Sequence, residues 1–184
     1  MKIKKKKLIK KYLWFIMLIL TGIVALLILI YKAYPFNGLK KIKVENSTMK
    51  IPRSFVADIE NKPGYKEYIL KTKDDWCEVF LWDNINSFYS SLDQYMKSTI
   101  NPTLLEAGVI GVKKINGYTW KTLIVDHSHR NYSTFDFDSF LKYYYHVTYY
   151  DNEIMYGMEY TIYKDTTGIC AKSYNIIVES LTLK

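Results

Sequence analysis

The sequence predicts an α+β protein, an antiparallel sheet with helices packed against it, preceded by one transmembrane helix. Three observations carry this reading: an uncharged apolar run near the amino terminus, several segments of period-two alternation, and two separated stretches of helical spacing.

The apolar run extends from Leu13 to Ile30 between Tyr12 and Tyr31, and a helix of that length rises about 30 Å, enough to cross a hydrocarbon core. Tyr12, Trp14, Tyr31 and Tyr34 are placed as interfacial anchors. Seven lysines lie in residues 1–11, against four (Lys32, Lys40, Lys41 and Lys43) in a similar stretch beyond the run, a bias that keeps the amino terminus inside. The run is too long for a signal-peptide core and lacks a small-x-small site near Lys32-Ala33-Tyr34. The expected organisation is a basic cytoplasmic tail (1–11), a transmembrane helix (12–31), a linker (32–40) broken by Pro35 and Gly38, and an extracytoplasmic α+β domain (41–184).

Charge supports this division. Residues 1–34 hold eight lysines and no acid, which leaves 18 basic and 18 acidic residues in the remainder. The net charge of +8 therefore belongs to the amino-terminal segment, and a neutral body lacks the footprint of a nucleic-acid binder.

Within the body, strands are expected at Ile42–Val44, Met49–Pro52, Glu67–Lys73, Trp76–Asp83, Gly108–Lys114 and Tyr118–Val125, with turns at Asp74-Asp75 and Asn116-Gly117. A hairpin follows. Leu141, Tyr143, Tyr145, Val147 and Tyr149 alternate with a more polar face, and the pattern resumes at Ile154, Tyr156, Met158, Tyr160 and Ile162. A two-residue loop at Asp151-Asn152 pairs Tyr149 with Ile154 and Tyr143 with Tyr160, so that apolar residues meet apolar ones. Ser87–Thr99 has helical spacing and stops before Asn101-Pro102; the stripe Cys170, Tyr174, Ile177, Val178 and Leu181 after Gly168 reads as a helix, with a closing strand at Ile176-Ile177-Val178 as the alternative.

The segments Lys50-Ile51-Pro52-Arg53-Ser54-Phe55, Val79-Phe80-Leu81-Trp82 and Ile115-Asn116-Gly117-Tyr118-Thr119-Trp120, the tyrosine-rich hairpin and the terminal Ile176–Leu181 resemble the PsbP-like domains over residues 41–184. The resemblance implies a curved antiparallel sheet flanked by helices in a binding or assembly module, and it carries no catalytic residues.

Candidate sites are few. His127 and His129 project to one side of an extended strand and could chelate zinc, with His146, Asp136 and Asp138 as further donors; the simpler reading is a polar loop. No nucleophile elbow, phosphate loop, HExxH or cofactor motif occurs. Cys77 and Cys170 both fall on core-facing positions, either as a disulfide or as two buried thiols. Trp76 and Trp82 share a strand face with Phe80, and Tyr144, His146 and Tyr150 share the polar face of the hairpin; whatever part of these aromatics is exposed would make a protein-binding or glycan-stacking surface. The expected function is a non-catalytic, membrane-anchored extracytoplasmic binding module of a bacterial cell surface, with a protein partner and no nucleic acid. The alternatives are an anchored immunity protein that neutralises a secreted toxin, and a metal-dependent hydrolase built on the three histidines.

Overall fold

The computed structural model describes residues 12, 14–27, 38–45, 47–58, 64–85, 89–128, 140–150 and 154–183. The chain divides into two compact units, Met1–Asn37 and Gly38–Lys184. In the first, helix α1 occupies residues 14–27 with its side chains exposed, a rise of about 21 Å. Among the described residues no helix is long and apolar enough to cross a membrane. Leu13 and residues 28–31 of the expected span lie outside the described residues.

The second unit is α+β and antiparallel throughout. Its elements are β1 (Leu39–Val44), β2 (Ser47–Pro52), β3 (Val56–Ala57), β4 (Tyr65–Lys71), β5 (Asp75–Ile85), α2 (Leu92–Thr99), α3 (Pro102–Ala107), β6 (Val109–Ile115), β7 (Tyr118–Asp126), β8 (Lys142–Tyr150), β9 (Ile154–Asp165), α4 (Ile169–Ser180) and β10 (Thr182–Leu183). The strands form two sheets rather than the single one expected: seven strands in the order β3-β4-β5-β9-β8-β7-β6, and three in the order β1-β2-β10. The short β3, α3 and β10 were not anticipated.

The carboxy-terminal stripe is helical, and its surroundings explain why β-branched residues there do not form a strand. Gly168 enters with φ 75°, and the Asp165 carboxylate accepts from the amides of Cys170 (2.9 Å) and Ala171 (3.1 Å). A carboxylate on these otherwise unpaired donors caps the helix and complements its dipole. The Asp75 carboxylate accepts from the Thr167 amide (2.9 Å) and hydroxyl (2.8 Å), so Asp75, expected in a turn, instead opens β5 and holds the approach to α4. Once positioned, α4 packs Cys170, Tyr174, Ile177 and Val178 into the core built from Cys77, Val79, Leu81, Met158, Tyr160 and Ile162, together with Ile42, Met49 and Ile51 of the small sheet.

The long hairpin departs from expectation by one residue. Tyr150 pairs with Ile154, Tyr145 with Glu159 and Tyr144 with Tyr160, leaving three residues between the strands instead of two. A one-residue slip moves every side chain of one strand to the opposite face relative to its partner. The alternation of β8 does not choose the register because both of its faces are covered: Tyr144 and His146 face the α4 core, while Tyr143, Tyr145 and Val147 belong to a second core with Leu123, Val125, Tyr95 and Met96. The expected contrast between an apolar and a solvated face therefore does not exist.

Cys77 and Cys170 form a disulfide, with their Cα atoms 5.9 Å apart, and the Tyr160 hydroxyl donates to the Cys170 carbonyl at 2.9 Å. The bridge joins β5 to α4 across 93 positions of sequence. Its reduction is expected to destabilise the domain by about 2–4 kcal/mol, lowering the thermal midpoint by about 5–15 °C. Thermal unfolding with and without reductant measures this directly; an unchanged midpoint would mean that the link contributes nothing.

Candidate functional site: an aromatic cleft with a carboxylate

Helices α2 and α3 cover the sheet face opposite α4. Ser91 caps α2 by accepting from the Gln94 amide at 3.2 Å, and Gln94 answers by accepting from the Ser90 amide at 3.0 Å. Lys121 of β7 pairs with Asp93 at 2.9 Å, fixing the first turn of α2 to the sheet. Asn101 then caps α3 through the Thr103 amide, with Pro102 at its first position. The Asn101-Pro102 pair expected to stop one helix therefore also starts the next, since a proline at that position lacks only an amide proton the helix does not use.

Where α2 meets α3 the helices stand away from the sheet and leave a cleft of about 470 Å³. Phe80, Trp82 and Asp83 of β5, Tyr143 and Tyr145 of β8, and Glu159 of β9 form its floor; Tyr95, Thr99, Ile100, Asn101 and Leu104 form its wall. The Trp82 ring lies 5.5 Å from that of Tyr95 and 6.2 Å from that of Tyr145. Glu159 accepts from the Tyr143 hydroxyl at 2.9 Å and is also stabilised as an anion by the Trp82 indole, but burial outweighs both and raises its pKa. Asp83 alternates with Trp82, so its side chain points to the other face of β5, where burial and, second, the charge of Glu45 raise its pKa. Neither of the two ion pairs seen among the described residues involves Glu159 or Asp83.

A glycine makes this floor. Gly157 lies directly opposite Trp82 on one side and Val147 on the other, and a Cβ at position 157 would overlap the Trp82 indole. The ring therefore lies flat across β9, where any other residue would lift it into the cleft.

The residues singled out from the sequence are dispersed. Trp82 is in the cleft. Trp76 lies six residues along β5, about 20 Å away, stacked on Tyr163 at 4.3 Å, with its indole donating to Glu78 at 2.9 Å. Tyr144 and His146 are on the opposite face beneath α4: Tyr144 stacks on Tyr174 at 3.9 Å, and His146, fully buried, shares a 2.9 Å hydrogen bond with the Tyr174 hydroxyl. This corrects their assignment to a binding surface, and the reversed register is the reason. The side chain of Tyr150 lies outside the described residues.

The three histidines are not brought together. His146 pairs with Thr122, five residues from His127 and so about 16 Å along β7, while His127 packs edge-on against Phe140 at 4.9 Å. His129, Asp136 and Asp138 lie outside the described residues, and among those described no group of three donors could hold a metal.

Tyr95, Tyr143, Tyr145 and Glu159 were missed from sequence. The available signals were a lone glycine inside a strand and a glutamate two residues beyond it in an apolar run.

No family model and no curated protein matches the sequence. Among solved structures, the Saccharomyces cerevisiae Ran-binding protein Mog1p is similar in fold, with a TM-score of 0.51 and 10% identity over 79% of this chain and 95% of that one. A Bacteroides thetaiotaomicron protein matches with a TM-score of 0.44 and 15% identity over 79% of this chain; the match spans about half of that protein, 48%. At these identities the likeness to Mog1p concerns the fold alone.

Gly157→Ala is expected to destabilise the domain by about 1–3 kcal/mol through overpacking, with a shift of tryptophan emission as the Trp82 ring is displaced; denaturant unfolding followed by fluorescence tests both. Burial, with a smaller contribution from the charge of Lys113, holds the His146 pKa down to about 4, below its value in the unfolded chain. The unfolded chain then takes up the proton first as pH falls from about 6.5 toward 4, and stability declines through that window. Glu159, with its raised pKa, works in the opposite direction. Comparison with His146→Leu isolates the histidine: the variant should lose less stability between neutral pH and pH 4.

Proposed function

We propose that the chain is a non-catalytic binding module anchored in a bacterial cell membrane by residues 12–31, with its curved-sheet body on the extracytoplasmic side. The observation that carries the binding reading is the cleft beside α2 and α3: a concavity of about 470 Å³ with an aromatic floor and a carboxylate, Glu159, suits recognition of another molecule. Amphipathic rings provide contact area with little entropy to lose on binding. The anchor rests on the uncharged run and its lysine asymmetry, and the resemblance to PsbP-like domains supports an assembly or binding role for the body. The partner we favour is a protein at the cell surface, because the cleft is open and lies between elements that can support a larger contact.

In intact cells, a photoreactive amino acid placed at the exposed cleft residue Thr99 is expected to crosslink to a second protein, whereas the same group at the exposed Lys172, on α4, is not. Equal adducts at both positions, or none at Thr99, would overturn the binding reading. Protease added to cells stripped of their wall should digest the body; protection would reverse the topology.

A further inference from the structure

The cleft combines two properties that are unfavourable together in the absence of a ligand. Its floor is largely aromatic and its wall adds Tyr95, Ile100 and Leu104, surroundings that lower the local dielectric and penalise a charge. Its charged side chain is nevertheless a carboxylate, Glu159, beside the neutral Thr99 and Asn101; Asp83 borders the cleft from β5 but its side chain alternates onto the opposite face, and among the described residues no basic residue lines the cleft. Glu159 receives two neutral donors, the Tyr143 hydroxyl and the Trp82 indole, and among the described residues no cation lies against it. Buried carboxylates are ordinarily paired, and a simple packing role for β9 would be met by an apolar residue at this position.

A cation complements this carboxylate, and the lining defines its kind. The Trp82 ring lies tilted against those of Tyr95 and Tyr145 in the cleft lining, and aromatic rings attract positive charge through their quadrupoles. A guanidinium fits both demands better than an ammonium: it is planar and weakly hydrated, stacks on rings, and its fork matches the two oxygens of a carboxylate. We infer that the cleft is the receptor for an arginine side chain presented by a protein partner, with Glu159 as counter-ion and the rings of Trp82 and Tyr95 as the aromatic lining it packs against. This rests on the binding role proposed above and adds the chemistry of what is bound. The hydrogen bonds from Tyr143 and the Trp82 indole then fix the orientation of the carboxylate before the ligand arrives, which limits the ordering required on binding.

Calorimetric titration of the full-length chain in detergent with the peptide acetyl-Gly-Gly-Arg-Gly-Gly-amide tests the inference. The same peptide with citrulline in place of arginine provides a neutral isostere, and tetramethylammonium a small cation. The arginine peptide should bind, with the citrulline peptide at least about tenfold weaker, and Glu159→Gln should weaken the arginine peptide by at least about tenfold while leaving the citrulline peptide unchanged. Because Gln is nearly isosteric and removes a carboxylate that burial disfavours, the variant should fold; Glu159→Asp, which retracts the charge by one methylene, should bind between the two. Equal binding of the two peptides, wild-type affinity in Glu159→Gln, or no arginine binding up to about 10 mM would overturn the inference. Tighter binding of tetramethylammonium than of the arginine peptide would overturn the protein partner in favour of a small organic cation. Thr99 crosslinking separates the failures: a persistent adduct with no arginine preference sinks the cation alone, and loss of the adduct sinks the binding role itself.

Discussion

The large sheet turns on the contact between Trp82 and Gly157. At this point β5, β9 and β8 lie side by side, and the absence of a Cβ allows an indole to rest directly on the neighbouring backbone. The contact selects one register for β9 against β5, and β8 must then align with a β9 whose position is already set. From the same contact follow the placing of Tyr144 and His146 beneath α4, the exposure of Glu159 to the cleft, and the distance α2 must keep from the sheet.

The two faces of the sheet are held by different means. On the α4 side the packing is dense and covalently fastened, with Met158, Tyr160, Ile162 and Ile177 essentially without solvent contact. On the other side two short helices are capped, pinned by one ion pair and packed through Tyr95, Met96 and Ile100 into the second core, with no covalent link and with a hollow beside them. Local opening is expected to begin on the more lightly held side. A recognition surface placed there can adjust to a ligand without loosening the core beneath α4.

Much of the architecture was legible because local chemistry decided it. Asn116 and Gly117 take positive φ between β6 and β7, as a two-residue hairpin turn requires, and that pairing follows the sequence. The helix after Gly168 was legible from its stripe, although its β-branched residues suit a strand equally well and the Asp165 cap decides for the helix. The hairpin register was not legible. A two-residue loop and a three-residue loop both bring tyrosines opposite apolar residues when both faces are buried, and the deciding contact with Trp82 lies about 75 residues upstream. The cleft was obscured for the same reason: Trp82 was singled out, but Tyr95, Tyr145 and Glu159 come from three other elements whose meeting depends on that register. Small elements such as β3 and β10, two residues each, are fixed by their neighbours and carry no pattern of their own.

The sequence contains two cysteines, so a single chain can make only one disulfide. During synthesis Cys77 emerges long before its partner, and the bond cannot close until the last helix has been made. The sheet must therefore take shape around an open thiol, and oxidation acts as a final latch. No wrong intramolecular pair exists to be reshuffled, so maturation calls for an oxidant and not for an isomerase. The hazard is intermolecular: a chain that stalls before α4 presents one unpaired thiol to its neighbours, and covalent dimers linked through Cys77 would be the signature of arrested biogenesis.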